Sequence, residues 1–144
     1  MDNPSRDKST LPIHVVSLTK EGPPLPPEGG TIVTAAGSMV RFANNQDFSF
    51  AAYVEFKKTR ARHCRGNHYH AEKTETLFII RGLLEATYVD MLSGDRQVLR
   101  LTAGDLVQVP PLCAHVYKPL EHSEAIELAS HPYDPSDTIA FAIT

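Results

Sequence analysis

The sequence predicts an all-β domain, folded as a sandwich or a barrel. From residue 31 onward, short runs rich in β-branched and aromatic residues follow one another, as is typical of strands. No window holds a sustained apolar period of about 3.6 residues, so we expect almost no helix. Turn-forming residues separate the runs at Asn44-Asn45, Arg81-Gly82, Ser93-Gly94-Asp95 and Ala103-Gly104-Asp105. Many short strands favour a closed or doubled sheet, because closure removes exposed strand edges.

The chain is the right size for one compact domain with a core of its own. It has 144 residues, of which 42% are hydrophobic. The formal net charge is -3, and the charged residues are scattered along the chain. No basic face therefore indicates a nucleic acid or an anionic membrane as a partner. We expect a small-molecule substrate instead.

Two further features bear on the compartment. No apolar run approaches the roughly 20 residues needed to cross a bilayer, and the first residues lack the charged-then-apolar pattern of a signal peptide. We therefore expect a cytoplasmic protein. In a reducing compartment Cys64 and Cys113 are expected to be free thiols, and their spacing fits no cysteine-rich zinc module.

The first 30 residues are predicted to form an N-terminal arm, and residues 31–144 the β-barrel. Residues 22–30 (GPPLPPEGG) hold four prolines and three glycines, a composition that cannot continue a helix or sit inside a sheet. Before them lies a short possible strand at 13–18. An early strand of this kind often pairs with the edge of another subunit, so we expect a homodimer whose arm contributes to the interface.

The barrel strands follow in order, each a short β-rich run between turn signals. In the run 48–57, Tyr53 and Glu55 alternate with the apolar Val54 and Phe56, so the apolar face should line the core or a subunit contact. The predicted strands are 31–33, 39–43, 48–57, 62–70, 75–81, 83–90, 97–101, 106–109, 115–118 and 124–129.

Four residues have the types and spacing of a metal site. Alternate side chains of a strand share a face, so His68 and His70 point the same way. Glu75 can return to that face after a short turn, and a proline turn at residues 110–111 delivers His115 to the next strand. A lone histidine on a strand is usually a surface or hydrogen-bonded residue, but this set suits one divalent transition metal, namely Fe, Mn, Ni, Zn or Co.

Together these stretches resemble the two sequence motifs of the cupin superfamily. The first motif, G-x5-H-x-H-x3-4-E-x6-G, is matched from His68 through Gly82 but lacks its leading glycine. The second, G-x5-P-x-G-x2-H-x3-N, is matched at Gly104, Pro110 and His115. Leu112 stands where the family has glycine, and position 119 is proline, not asparagine. The resemblance implies a cupin jelly-roll barrel with the metal inside it.

A narrower resemblance concerns the string R-G-N-H-Y-H at residues 65–70. It is similar to cupin domains associated with nucleotide-sugar and capsular-polysaccharide biosynthesis, which also carry an acidic-Pro-x-Asp-Thr segment near their end. Here that tail is YDPSDT at residues 133–138. The resemblance implies a sugar linked to a nucleoside diphosphate, such as a 4-keto sugar, as the substrate class.

The chemistry of such a site leaves three functions open. A bound divalent ion can acidify a C–H bond next to a carbonyl, which favours an isomerase or epimerase. With Fe(II) the same site suits an oxygenase, and a third alternative is a non-catalytic sugar-binding or regulatory cupin. Glu75 and Tyr117, which shares a face with His115, are the candidate catalytic residues.

Other side chains near the motif are placed by the same alternation or stand just before it. Counting back from His70 places Gly66 and Cys64 on the ligand face and Tyr69 on the opposite face. Arg60, Arg62 and Arg65 cluster before the motif. They could bind a phosphate or form a solvated basic loop.

Overall fold

A computed structural model describes residues 11, 13–18, 30–43, 46–61 and 63–144. Most of the predicted N-terminal arm, the turn at Asn44-Asn45 and Arg62 lie outside these residues. The described part is built almost entirely from strands, and its single helix is a short 3-10 turn, Pro135–Asp137. No helix there is long and apolar enough to cross a membrane.

Two five-stranded sheets and one hairpin make up the fold. The strands are β1 His14–Ser17, β2 Gly30–Thr34, β3 Gly37–Arg41, β4 Phe50–Phe56, β5 Arg65–Tyr69, β6 Glu75–Arg81, β7 Leu83–Asp90, β8 Arg96–Thr102, β9 Asp105–Val109, β10 Cys113–Pro119, β11 Ser123–Ala129 and β12 Ile139–Ala140. The first sheet has the order β1-β9-β6-β11-β4 and the second β12-β5-β10-β7-β8, while β2 pairs with β3. All the strand pairs are antiparallel.

The predicted strands are confirmed, with small shifts at their ends. β6 and β7 have the predicted bounds, whereas β5 starts at Arg65 and not at residue 62. The 3-10 turn and β12 were not predicted, because a two-residue strand carries no alternation that a sequence pattern can reveal.

The early strand forms part of the first sheet. β1 pairs with β9 of the same chain, with Val15 opposite Val107, and lies at the edge of the sheet; the contribution of the arm to a dimer interface stays a prediction. Leu11 and Leu18 flank β1 and are buried, and the backbone N–H of Leu18 donates to the carbonyl of Gly104 at 2.8 Å. Local burial and hydrogen bonding therefore tie this strand to its own barrel.

The core lies between the two sheets. Ile79 of β6, Leu84 of β7 and Val107 of β9 are fully buried, as alternation predicts for the inner faces. In β4, Phe56 is 3% exposed and Tyr53 is 56% exposed, so the apolar face lines the core. The Tyr53 hydroxyl, on the outer face, donates to Glu124.

A smaller apolar cluster covers part of the outer face of the first sheet. The rings of Phe42 and Phe78 stack with centroids 4.6 Å apart. Leu18, Leu106 and Val40 join the same cluster. The end of β3 and the residue that follows it thus pack on the outer face of the first sheet and not between the two sheets.

Candidate metal centre

The three predicted histidine ligands come together between the two sheets, and the fourth predicted ligand, Glu75, contacts two of them. His68 lies on β5 opposite His115 on β10, His70 follows β5, and Glu75 begins β6. One ring nitrogen from each histidine lies within 4.8 Å of the other two. His70 and His115 are 4% and 2% exposed and Glu75 is 6% exposed, so three of the four are buried against the core.

A glycine makes this convergence possible. The register of β5 and β10 shifts between His115 and Val116, and at this irregularity Gly66 adopts a φ of +113°. A Cβ at this position would lie 2.5 Å from the carbonyl oxygen of His115. Only glycine allows the two strands to approach this closely, and the approach places His68 beside His115.

The neighbouring Asn67 holds the strand from its other side. It adopts a left-handed φ of 58°, which asparagine tolerates better than most residues. Its side-chain oxygen accepts hydrogen bonds from the N–H groups of Ile143 and Thr144 at 2.9 and 3.2 Å. The R-G-N-H string therefore combines a close approach, a backbone turn and a ligand in consecutive residues.

Glu75 lies between two of the imidazoles. Its carboxylate oxygens are 3.0 Å from His70 Nε2 and 3.2 Å from His115 Nε2, and Lys73 Nζ is 3.3 Å from Oε1. Burial alone would raise the pKa of Glu75, but its contacts with His115 and His70 hold the pKa well below the ordinary range. The carboxylate is therefore ionised at neutral pH.

Backbone carbonyls orient two of the imidazoles. His70 Nδ1 lies 2.6 Å from the carbonyl oxygen of Asp137, and His115 Nδ1 lies 3.1 Å from that of Cys113. A proton on each Nδ1 donates to these carbonyls and leaves Nε2 directed at the site.

The pKa values of His68 and His70 are shifted in opposite directions. Burial and the neighbouring His115 and His70 lower the pKa of His68 to about 4, so it is neutral at pH 7. Burial also disfavours the charged form of His70, but the carboxylate of Glu75 outweighs it and raises the pKa. His68 is thus ready to bind a cation, whereas the carboxylate of Glu75 favours the charged form of His70, against which a metal ion would compete.

The arrangement fits a divalent transition metal. Two ligand atoms that each lie about 2.1 Å from one ion are about 3.0–3.4 Å apart at octahedral and tetrahedral angles, which matches the contacts of Glu75 with His70 at 3.0 Å and His115 at 3.2 Å. His70 Nε2 is buried and has no aligned hydrogen-bond partner among the described residues. A buried, unsatisfied nitrogen directed at other ligands is what a metal ion would satisfy.

These ligands lie in the wall of a cavity of about 1150 Å³. Tyr117 lines it as predicted and is 7% exposed. The hydroxyl of the fully buried Tyr88 donates to the hydroxyl of Tyr117 at 3.2 Å. Burial raises the pKa of Tyr117 well above its ordinary value, so this phenol stays protonated.

Two charged residues of the site were missed at the sequence level. Glu127 lines the cavity, and burial together with the charge of Glu75 raises its pKa to about 7. Strand alternation could have indicated it, because Glu127 shares the inner face of β11 with Ala125 and Ala129. Lys73 is 8% exposed and lies over the ring of Phe50 at 5.9 Å, but a lysine in a turn is usually solvated and gave no signal.

The remaining predicted residues are divided between the cavity and the surface. Cys64, Gly66 and Arg65 are among the residues that line the cavity, whereas Tyr69 and Arg60 are not. The predicted tail also reaches the cavity, where Tyr133, Pro135 and Thr138 form part of the lining.

Comparison with known proteins gives matches only at the level of structure. No protein-family model matches the chain, and no curated protein matches it in sequence. A 3,4-ketoisomerase from Helicobacter canadensis has a similar structure, with a TM-score of 0.72 and 15% identity over 90% of each chain.

Two further solved structures give the same result. A sugar 3,4-ketoisomerase from Thermoanaerobacterium thermosaccharolyticum, in complex with TDP-4-keto-6-deoxyglucose, has a TM-score of 0.67 and 15% identity over 88% of this chain and 86% of that one. A dTDP-4-dehydrorhamnose 3,5-epimerase from Sulfolobus tokodaii has a TM-score of 0.65 and 19% identity over 78% of this chain and 73% of that one. At these identities the likeness establishes the fold, which is the cupin jelly roll predicted from the two motifs.

Proposed function

We propose that this protein is a metal-dependent isomerase or epimerase that acts on a keto sugar linked to a nucleoside diphosphate. The proposal rests mainly on one observation: in the wall of a cavity of about 1150 Å³, three imidazoles lie close together and a carboxylate contacts two of them. A cavity of this size can hold a ligand larger than a single sugar. The proteins of similar structure, named as ketoisomerases and an epimerase, support the reaction class.

The ion would be held by His68, His70, Glu75 and His115. When bound, a divalent metal supplies a Lewis acid that polarises a carbonyl or hydroxyl oxygen and makes the adjacent C–H bond more acidic. Three nitrogen ligands and one oxygen ligand suit first-row metals such as Fe, Mn, Ni, Zn or Co.

Tyr117 would bind and orient the sugar. Because its hydroxyl accepts the hydrogen of Tyr88, its own hydrogen is available to a ligand in the cavity. The raised pKa keeps it protonated at neutral pH. Tyr117 is therefore a hydrogen-bond donor to a substrate oxygen and not the base that removes a proton.

Glu127 is the residue best suited to carry the proton. It lines the same cavity, and in the metal-free protein burial and the charge of Glu75 raise its pKa to about 7, so its carboxyl can take up and release a proton near neutrality. In an isomerisation its carboxylate would take the hydrogen from the carbon beside the carbonyl and deliver it to the carbonyl carbon, while the proton of the neighbouring hydroxyl passes to the former carbonyl oxygen. In an epimerisation the carbon that loses its hydrogen would receive one back on the opposite face. One hydrogen leaves and one arrives, so the reaction needs no external oxidant or reductant.

The lining also contains a cation suited to the nucleotide. Arg65 is exposed and lines the cavity, where its guanidinium group can bind two phosphate oxygens at once. Lys57 lines the same region, although it also pairs with Glu55 at 3.5 Å. These charges favour a substrate that carries a diphosphate over a free sugar.

Proton exchange with solvent tests the proposal. The zinc-, manganese- or cobalt-loaded protein is incubated with TDP-4-keto-6-deoxyglucose in D2O without oxygen, and proton NMR follows the hydrogens on the carbons beside the carbonyl. We expect these signals to disappear with the loaded protein and to persist with the chelated protein. Glu75→Gln should lose most of the exchange even with excess metal, whereas Glu72→Gln, whose side chain is exposed on the adjoining turn, should behave as wild type.

The outcomes separate the alternatives. Binding of the nucleotide sugar with no exchange would overturn the enzymatic proposal in favour of a non-catalytic binding protein. Turnover that requires oxygen and Fe(II) would overturn it in favour of an oxygenase. Exchange at an unchanged rate after chelation would overturn the role of the metal.

A further inference from the structure

The predicted tail at residues 133–138 has a specific position in the structure. It leads from the first sheet through the 3-10 turn Pro135–Asp137 into β12, which pairs with β5. Ala140 of β12 lies opposite His68. The tail therefore runs along the strand that carries the first metal ligand.

Asp137 makes two different kinds of contact with the ligand segment. Its backbone carbonyl oxygen lies 2.6 Å from His70 Nδ1. Its carboxylate accepts hydrogen bonds from the consecutive N–H groups of Ala71, Glu72 and Lys73 at 2.7, 3.2 and 3.3 Å. The residue is 9% exposed, so these charge-assisted hydrogen bonds are at least partly buried.

The turn held in this way separates two of the ligands. Residues 71–74 connect His70 to Glu75, and the carboxylate of Asp137 fixes the N–H groups of three of them. On its other side, His70 is held by the N–H of Leu112, which donates to its carbonyl at 2.7 Å. One residue therefore sets both the orientation of the His70 ring and the path of the chain from His70 to Glu75.

We propose that Asp137 is a positioning residue for the metal centre, which it preorganises by orienting His70 and by shaping the turn that leads to Glu75. This inference rests on the proposed metal site but not on the reaction assigned to it. Partners that orient ligands from outside the coordination sphere typically change metal affinity by about 10–100-fold when they are replaced. The acidic-Pro-x-Asp segment at the end of the chain thereby acquires a role in the site.

The test compares metal affinity with the stability of the metal-free protein. Zinc dissociation constants are measured by competition with a chelator for wild type, Asp137→Asn and Asp137→Ala, and thermal unfolding is followed without metal. Asp134→Asn is the matched control, because Asp134 caps the same 3-10 turn by accepting from the N–H and hydroxyl of Ser136 at 2.9 and 2.7 Å. We expect zinc binding to weaken about 10–100-fold in Asp137→Asn and to stay unchanged in Asp134→Asn.

A merely structural role gives a different result. It would lower the unfolding temperature of Asp137→Asn and Asp137→Ala, but neither variant would differ from wild type in zinc affinity or in the visible spectrum of bound Co2+. Equal affinities in wild type and Asp137→Asn would overturn the inference, and this milder variant decides the question even where Asp137→Ala fails to fold. Because the readout is metal binding, a protein that binds zinc but exchanges no substrate hydrogen would contradict the proposed reaction and not the role of Asp137.

Discussion

The ligand side chains of the metal centre change the folding stability with pH in opposite directions. The raised pKa of His70 adds stability that is fully present below its ordinary value near 6.5 and is lost as the pH rises through the raised value. The lowered pKa of Glu75 adds stability that is present above its ordinary value near 4.5 and is lost as the pH falls from there through the lowered value. Between pH 6.5 and 4.5 the change of stability with pH comes mainly from His68, because its pKa is lowered to about 4.

This difference predicts the acid sensitivity of the metal-free protein. As the pH falls from about 6.5 to 4, the unfolded chain binds a proton at position 68 and the folded protein does not, so stability falls. We expect His68→Gln to flatten this part of the stability curve, measured as unfolding free energy against pH. His122→Gln, at an exposed histidine, is the control, and equal slopes for His68→Gln and wild type would contradict the assignment.

Leu112 occupies a backbone position where the cupin motif has glycine. Its φ is 61°, in the left-handed region that costs a non-glycine residue about 1–2 kcal/mol. The position is held there by hydrogen bonds, since the N–H of Leu112 donates to His70 at 2.7 Å and its carbonyl accepts from Met91 at 2.9 Å. The chain keeps the turn of the motif even with a different residue.

The strain can be measured with two small substitutions. Both Leu112→Gly and Leu112→Ala remove the side-chain contacts, but only glycine also relieves the left-handed strain. We expect the glycine variant to be more stable than the alanine variant by about 1 kcal/mol in urea unfolding. At most positions alanine is the more stable of the two, so an alanine variant at least as stable as the glycine variant would show that the position is not strained.

At the scale of the elements, the close approach of β5 and β10 positions the site. Gly66→Ala should place a Cβ 2.5 Å from the carbonyl oxygen of His115. We expect this change to cost more than about 2 kcal/mol, as strain and overpacking add, and to weaken zinc binding because His68 and His115 separate. Gly94→Ala is the control, since Gly94 also has a positive φ of +80° but open space around it.

The control sets the scale of the effect. Gly94→Ala should cost about 1 kcal/mol from backbone strain alone and leave zinc binding unchanged. Urea unfolding and chelator competition measure both quantities. If Gly66→Ala were no worse than Gly94→Ala in either, the close approach of the strands would not be what positions the ligands.

The elements also show which parts of the site a sequence pattern can predict. Alternation and spacing placed His68, His70, Glu75 and His115 together, because each depends on a single strand or a single turn. Asp137 could not be found in this way, since its contacts join residues 64 to 67 positions apart in the chain.

Two other residues differ in how well they could have been predicted. Glu127 could have been predicted from strand alternation, because it shares one face of β11 with the buried Ala125 and Ala129. Lys73 lies over the ring of Phe50, which belongs to a strand distant in sequence, and no local pattern predicts this contact. Local periodicity therefore predicts the faces of strands, and tertiary contacts decide which charged side chains become part of the site.

At the scale of the whole molecule, an apolar face of the first sheet remains partly open. Ile80 is 43% exposed and alternates with Phe78, which places it on the outer face. The homodimer expected from the sequence would bury this face. Removing such residues from water stabilises association by about 25 cal/mol per Å² of apolar surface.

The prediction for assembly follows from that face. Light scattering of wild type should give twice the mass of one chain, and Ile80→Glu should give the mass of one chain, because a charge would be buried in the interface. Val98→Glu is the control, as Val98 is 53% exposed on β8 of the other sheet. A wild-type protein that is a monomer, or an Ile80→Glu variant that stays dimeric, would contradict this interface.

The measurement that tests the central claim most directly is the metal content of protein purified without added metal. Elemental analysis is made on wild type, His68→Ala and His115→Ala, each shown to be folded by circular dichroism. We predict about one divalent transition-metal ion per wild-type chain and less than about a tenth of that in either variant, because each loses one of four ligands. Stoichiometric metal in both variants, or a wild-type protein that takes up no ion even when metal is supplied, would contradict the metal centre.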